Sequence, residues 1–501
     1  MKLLRLKHIL ATTFLATSIN TFAQYLGKGI TYSTELSGTF SSGDYAPFWL
    51  TSNKYGLSSI ENNSGYIRIG LFRDTAKDSL YQWRFGYGAD IAAATNHTSN
   101  LIIQQLYGEI EYKKGILTIG AKQMPLIFKN EELSTGDMTY GINSRPIPQV
   151  RFDLNEYMKL PLTYGWFGFK GHISYGWLTD GNWQTNFTQG TSYTHCKKVL
   201  FHSKSGYIKV GKEHIFPVTF TAGVHFCTLF GGEAWNTGKR LDDTSNYKGD
   251  YARMSNGLSS YWHAFFPGGR DVTDGTYDNA EGNQLGSYQA CLEYKKKTWG
   301  VKLYAEHFFE DHSQMFFQYD WKDFLWGMEI ELPTNRFLSN VVIERIFTED
   351  QSGCVYHDHT TNLPTQLSGT DDYYNHSIYG GWHHWGQTIG NPTIISPIYN
   401  NNHQIHFENN RIKAYHIGIN GNPSASIHYK MLYTYIQSRG TYAKPNIDPI
   451  SEKCFLAEIT YKPSFLSGYS LTGAYGYNNG ALIGKSHGGT FTIKKTGIFT
   501  K

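Results

Sequence analysis

The chain has 501 residues, of which 16% are aromatic and only 17% charged, with 37 Tyr, 52 Gly and a formal net charge of +4. Its mean hydropathy of −0.43 makes it polar without being charged. That disfavours the Lys-, Glu- and Leu-rich make-up of a soluble α/β enzyme and leaves a large membrane β-barrel or a secreted all-β protein. A nucleic-acid partner finds no support, because there is no block of Lys and Arg. Cys196, Cys227, Cys291, Cys354 and Cys454 are scattered, odd in number and without a CxxC, so they cannot form a complete disulfide framework.

In chain order, an export signal comes first. Lys2, Arg5 and Lys7 form a basic start, Ile9 to Ala16 a short apolar core, and Thr21-Phe22-Ala23 a small-residue cleavage site. Residues 1–23 are therefore expected to be removed, leaving 24–501 as one domain. No later stretch has the ~18 consecutive apolar residues of a transmembrane helix.

Period-2 alternation, the mark of a strand with one apolar and one polar face, then recurs along the chain. Runs are expected at 29–40 and 66–73. A third places Tyr81, Trp83, Phe85, Tyr87, Ala89 and Ile91 on one side, with Arg84 and Asp90 on the other. Four aromatics opposite an Arg and an Asp suit a lipid-facing strand with a wet lumen. Further runs follow at 101–113, 116–122, 146–154 (which carries two prolines), 164–179, 199–210 and 218–229. Residues 283–353 hold four more: Trp299, Val301, Leu303 and Ala305 alternate with Lys302, Tyr304 and Glu306, and Phe324, Trp326 and Met328 with Leu325, Gly327 and Glu329. The series ends with 411–420, 425–437, 453–462, 469–478 and 488–499.

With the proline-bearing run the total is about 18 strands. Connections after odd-numbered strands are long (123–145, 180–198, 230–284, 310–323, 349–410, 438–452), and those after even-numbered strands are short. An even strand count with long loops at one end and tight turns at the other is the signature of an all-β transmembrane antiparallel barrel, its long loops extracellular and its turns periplasmic. The terminal Ile498-Phe499 suits recognition by a barrel-insertion machinery. No repeat of fixed period supports a propeller.

Chemistry-bearing motifs are sparse. There is no G-x-S-x-G. His357-Asp358-His359 and His383-His384 share one loop but lack the spacing of a metal site. Nothing sets two carboxylates across a cleft for glycoside hydrolysis. The expectation is no enzyme, no cofactor and no metal. The loops are instead rich in aromatics. Residues 349–410 hold Tyr373, Tyr374, Trp382 and Trp385 beside Asp372, and residues 230–284 hold Trp262 near Arg270. Sugar rings stack their apolar faces on Trp and Tyr, while Asp and Arg bind hydroxyls and carboxylates. A glycan site is therefore expected at Trp382, Trp385, Tyr373, Tyr374 and Trp262, oriented by Arg270, Arg145 and Asp372. The competing reading is that these aromatics pack the loops onto themselves and plug the barrel.

Several segments resemble the Wzi family of capsule assembly proteins: APFWLTSNKYG at 46–56, LSTGDMTYGINSRPIPQV at 133–150, the block GNQLGSYQ, LYAEHFFEDHS, DFLWGMEI and ERIFTEDQSG within 282–353, YYNHSIYGGWHHWGQTIGNP at 373–392, and NRIKAYHIGINGN at 410–422. The resemblance implies an 18-stranded outer-membrane barrel of a Gram-negative bacterium. It would act as a surface lectin that attaches capsular or exopolysaccharide and catalyses nothing. Outer-membrane lipid, the polysaccharide and the insertion machinery would be its partners. Two departures stand out. The periplasmic helical bundle of enteric members has no counterpart between Gln24 and the first strand, and His312-Ser313-Gln314 replaces a Gly-Ser-Gly-like turn. The alternative left open is a porin-like diffusion channel for small solutes or oligosaccharides, lined by Arg84, Lys170, Lys302, Glu306 and Glu329.

Overall fold

The computed structural model describes residues 29–78, 82–236, 247–248, 251–268, 281–310, 321–351, 356–358, 366–368 and 371–499. The export signal, Tyr81, Arg270, His312 to Gln314, Cys354 and His359 lie outside them.

Eighteen antiparallel strands form one closed sheet. They are β1 (Thr31–Gly43), β2 (Asn63–Arg73), β3 (Trp83–Thr95), β4 (Leu101–Tyr112), β5 (Gly115–Ala121), β6 (Gln149–Leu154), β7 (Phe167–Trp177), β8 (Leu200–Val210) and β9 (Val218–Phe230). The second half is β10 (Asn283–Lys295), β11 (Gly300–Glu310), β12 (Phe324–Glu331), β13 (Asn340–Phe347), β14 (Ile412–Ser424), β15 (Ile427–Gly440), β16 (Pro445–Tyr461), β17 (Tyr469–Gly480) and β18 (Ser486–Ile498). Each strand pairs with its chain neighbour, and β1 pairs with β18 from Thr31↔Ile498 to Gly43↔Ser486, which leaves no sheet edge. The longest connections, 44–62, 122–148, 178–199, 231–282 and 348–411, all leave one end of the barrel, here the loop end, and the other end carries shorter ones.

Alternation sets the two faces. On β3, Trp83 and Ile91 are exposed on the outer wall, while Asp90 points inward and accepts from Arg68 Nε at 2.8 Å. Other inward charges pair in the same way: Lys122 with Glu109 at 2.5 Å, Lys302 with Glu329 at 2.8 Å, Lys430 with Glu458 at 3.1 Å, and Arg84 with Glu111. A charge removed from bulk water needs such a partner. The pattern read from the sequence thus faces the way alternation predicts.

Most strand ends move by a few residues from that reading, and two boundaries move for identifiable reasons. β6 begins at Gln149, because Pro146 and Pro148 have no N–H to give the ladder; they precede the strand instead of interrupting it. The expected loop at 438–452 shrinks to 441–444, since β15 and β16 continue their ladder to Gly440↔Pro445 past a register shift at Ser438. Pro445 is tolerated there as the first residue of a strand.

The lumen holds a plug and leaves a cavity of about 230 Å³ between Glu109, Arg151, His172 and Tyr207. Segments 44–62, 122–148 and 371–411 fold into the lumen, and the main buried cluster joins Phe48, Trp49, Leu133, Met138, Tyr373, Tyr374, Trp382, Ile389 and Phe407 to inward side chains of the wall such as Phe201, Phe308, Val342 and Leu432. Polar pins fix the plug. Trp49 Nε1 donates to Thr434 Oγ1 at 3.0 Å, and His416 bridges Thr434 Oγ1 (2.7 Å) and the Leu133 carbonyl (2.6 Å). Glu344 accepts from Ser134 Oγ (2.8 Å), Thr135 N (2.8 Å), Thr135 Oγ1 (2.7 Å) and Tyr304 Oη (2.6 Å). Between plug segments, Asn391 Nδ2 reaches Thr135 Oγ1 at 3.0 Å and Gly141 N donates to the Ile389 carbonyl at 2.8 Å. Gly390 is required at this crossing, because a Cβ there would lie 2.2 Å from both the Met138 carbonyl and Tyr374 Oη. Gly390→Ala is expected to cost about 1–3 kcal/mol as overpacking. The check is a lower temperature for conversion of the compact to the extended band in heated gel samples.

Candidate functional site

At the loop end, the plug and the wall loops meet around Trp385. This residue holds a left-handed backbone (φ 57°), sparsely populated for a bulky side chain. Its N–H donates to Asp180 Oδ2 at 2.9 Å and its indole Nε1 to Thr179 Oγ1 at 3.0 Å. The Arg145 guanidinium lies over the indole at 4.1 Å from its centre and donates to Thr98 Oγ1 at 2.6 Å. Stacked and only 5% exposed, Arg145 is a fixed cation, and its Nε has no hydrogen-bond partner among the described residues. His384 links the two sides, Nδ1 to the Arg145 carbonyl at 3.0 Å and Nε2 to Thr179 Oγ1 at 2.9 Å. A short helix, Gly181–Phe187, adds Trp183, stacked on Phe187 at 4.8 Å, while Phe187 meets His403 edge-on at 5.2 Å. Gly386 permits this, since a Cβ there would strike the Trp183 ring at 2.5 Å. The result is an aromatic shelf in which Trp385 and Phe187 are partly exposed and Trp183 is buried, with one fixed cation.

Burial controls its ionisation. Burial lowers Arg145 to about 10, with Asp180 opposing, so it stays charged near neutrality. Burial holds His383 and His384 near 3, so both are neutral there. Burial raises Asp180 to about 6, against the hydrogen bonds from Trp385 and Gln184 and the charge of Arg145. A raised carboxylate means the folded site binds its proton more tightly than the unfolded chain does. The site is therefore stabilised as pH falls from about 6 to 4, by up to roughly 3 kcal/mol at about 1.4 kcal/mol per pKa unit. The protection factor of the Trp385 amide, which corrects for the intrinsic slowing of exchange toward acid, should rise as pH falls across that window, and Asp180→Asn should remove that rise.

The residues expected to contact sugar divide into three groups. Trp385 and Arg145 come together on the shelf. Trp382, Tyr373 and Tyr374 do not reach the surface, which corrects the expectation that they stack on sugar. They are 0–1% exposed because segment 122–148 and wall side chains such as Phe201 and Phe308 pack around them, and their polar atoms point inward. Trp382 Nε1 donates to the Thr139 carbonyl at 2.8 Å, Tyr373 Oη to Asp323 Oδ2 at 2.9 Å, and Tyr374 Oη to the Met138 carbonyl. The competing packing reading holds for these three. Asp372 is half-buried, and its Oδ1 accepts from Asn410 Nδ2 at 2.6 Å, so it ties the loop to the base of β14.

Trp262 belongs to another surface. It is 63% exposed on the helix Leu258–Phe265, whose Tyr261 carbonyl accepts from Tyr175 Oη at 2.9 Å. Tyr175 shares the outer face of β7 with Ile173 and Trp177, so this helix lies on the outer wall. The sequence reading missed Thr98, Asp180, Trp183 and Phe187. The Trp183/Phe187 spacing of four was the available signal for one turn of helix with both rings on one face. No group of three or more His, Cys, Asp or Glu able to hold a metal occurs among the described residues.

No family model and no curated protein matches the sequence. Solved structures do match the fold. Wzi of Escherichia coli, described as a carbohydrate-binding outer-membrane β-barrel involved in group 1 capsule assembly, is 16% identical with a TM-score of 0.56, over 95% of this chain and 86% of that one. OccK5 (OpdH) of Pseudomonas aeruginosa is 8% identical with a TM-score of 0.47, over 94% and 98%. OccAB2 of Acinetobacter baumannii is 10% identical with a TM-score of 0.44, over 94% and 98%. In fold, the chain is a Wzi-like 18-stranded membrane β-barrel.

Proposed function

We propose that this chain is an exported outer-membrane barrel, its loop end outward, that binds a capsular or exopolysaccharide and retains it at the cell surface without catalysis. Residues 1–23 serve as the export signal and 24–501 as the single barrel domain. The observation that carries the reading is the Arg145–Trp385 stack at the loop end, an aromatic face and a fixed guanidinium held by a plug packed inside the barrel. Trp385 and Phe187 are partly exposed and offer apolar ring surface, the buried Trp183 supports Phe187 from the side, and the nearly buried Arg145 guanidinium behind the Trp385 indole supplies the positive charge that favours hydroxyls or carboxylates. The carbohydrate binding described for the Escherichia coli barrel supports the same reading. A plug packed against the wall favours holding a polymer over conducting solutes. Titrating purified surface polysaccharide onto the detergent-solubilised protein tests binding, and planar-bilayer recording tests the channel alternative. Saturable binding with a silent bilayer is expected. No binding together with a steady open pore overturns the proposal in favour of diffusion.

A further inference from the structure

The outer wall carries a feature that polysaccharide retention does not use. Ala290 on β10 stands opposite Ala305 on β11, and both face outward. One register step toward the turn end, Leu292, Leu303 and Met328 form an apolar row across β10, β11 and β12. Two alanines side by side among larger neighbours leave a groove of about 500 Å³, walled on one side by Trp326. That volume lies within the range of about 300–1,000 Å³ usual for small-molecule sites. The row through Ala305 continues to Trp326 and then to Arg345 on β13. Arg345 is exposed on the outer wall, two residues before β13 ends at Phe347 on the loop side. Its guanidinium lies 5.9 Å from the Phe347 ring and forms no ion pair among the described residues. The neighbouring outward cation, Lys413, is already engaged by Glu349 at 2.9 Å. A lone guanidinium on a lipid-facing wall is costly in hydrocarbon and tolerable only near the headgroups, where an anion can meet it.

We propose that this groove and Arg345 together bind one phosphorylated, acylated lipid of the outer leaflet, with an acyl chain along Ala290 and Ala305 and a phosphate on Arg345. The inference rests on the outer-membrane placement with the loop end outward, and not on the polysaccharide reading. An aliphatic groove suits an acyl chain, Trp326 marks the interfacial depth where Trp concentrates, and the guanidinium fork fits a phosphate.

The test is native mass spectrometry of the full-length barrel in detergent, with purified bisphosphorylated lipid A or its fully dephosphorylated form as probe. Wild type should retain one bisphosphorylated molecule, and at least tenfold less of the dephosphorylated one. Arg345→Gln and Ala305→Leu should each lower retention of the bisphosphorylated form about tenfold while leaving polysaccharide binding at the wild-type level. That second readout separates failure of this inference from failure of the retention role. Equal retention of the two lipid forms, wild-type retention by Arg345→Gln, or a lipid-free dimer of wild type would overturn the proposal. Should Ala305→Leu fail to show the compact folded band, the comparison of the two lipid forms on wild type decides alone.

Discussion

Glu344→Ala should release the plug while leaving the barrel closed. The carboxylate is 2% exposed and collects four donors, three from the plug segment at Ser134 and Thr135 and one from Tyr304 on the wall. Truncation leaves Ser134 Oγ, Thr135 N, Thr135 Oγ1 and Tyr304 Oη without their acceptor. An orphaned buried donor costs about 1–3 kcal/mol, and the four are coupled, so a total on the order of 3–6 kcal/mol falls on the attachment of segment 122–148. Nearby Lys129 remains buried against Asp137 at 2.8 Å and against Glu306, so it pulls on the same segment. Burial opposes the charge on Lys129, but Asp137, Glu306 and Glu344 together outweigh it and raise its pKa, so the variant also loses part of this support. Limited trypsin digestion should cut after Lys129 at least tenfold faster in the variant, with the heat-modifiable barrel band retained. Glu344→Gln, which keeps one carbonyl acceptor, should fall between. Wild-type protection in Glu344→Ala would show that the plug is held elsewhere.

The second large effect is on the shelf. Trp385→Ala removes the exposed ring and should weaken polysaccharide binding about 10–100-fold, roughly 1.4–2.8 kcal/mol, the scale of a Trp anchor at a binding centre. Arg145→Ala should cost a similar amount, because it removes the cation and also the group that orients the indole. Arg145→Lys keeps the charge but loses the planar fork and the hydrogen bond to Thr98, so it should recover only part of the loss. Since the two residues touch, the double variant should cost less than the sum of the singles. Trp382→Ala is the informative contrast. Its ring is buried and tied to the Thr139 carbonyl, so its loss should lower thermal stability by about 3–5 kcal/mol while the folded fraction keeps its affinity. An affinity loss confined to Trp382 would mean the shelf is not the binding surface.

Alternation made the wall legible. The faces of Trp83 and Asp90, of Leu303 and Tyr304, and of Trp326 and Leu325 are each dictated by a period of two, and the lengths of the connections separated the two ends. The plug was not legible, because its attachments depend on residues far apart in the chain. Leu133 meets His416, Thr135 meets Glu344 and Gly141 meets Ile389, and no local pattern encodes such meetings. The site shows the same limit. Trp382 and Trp385 are chemically identical and three residues apart, yet one supports the plug and the other forms the shelf. The difference is set by the Thr139 carbonyl under one indole and the Arg145 guanidinium over the other. Trp183 escaped notice because it sits on a two-turn helix too short to stand out from a loop.

Retention of polysaccharide at the cell surface is the central claim. It is tested most directly by measuring cell-bound and released polysaccharide in a strain lacking this chain and in the same strain carrying either wild type or the Trp385→Ala, Arg145→Ala double variant. The deletion strain should make the same total polymer but shed most of it into the medium, wild type should restore the cell-bound fraction, and the double variant, present in the membrane at wild-type level, should not. An unchanged cell-bound fraction in the deletion strain would contradict the claim.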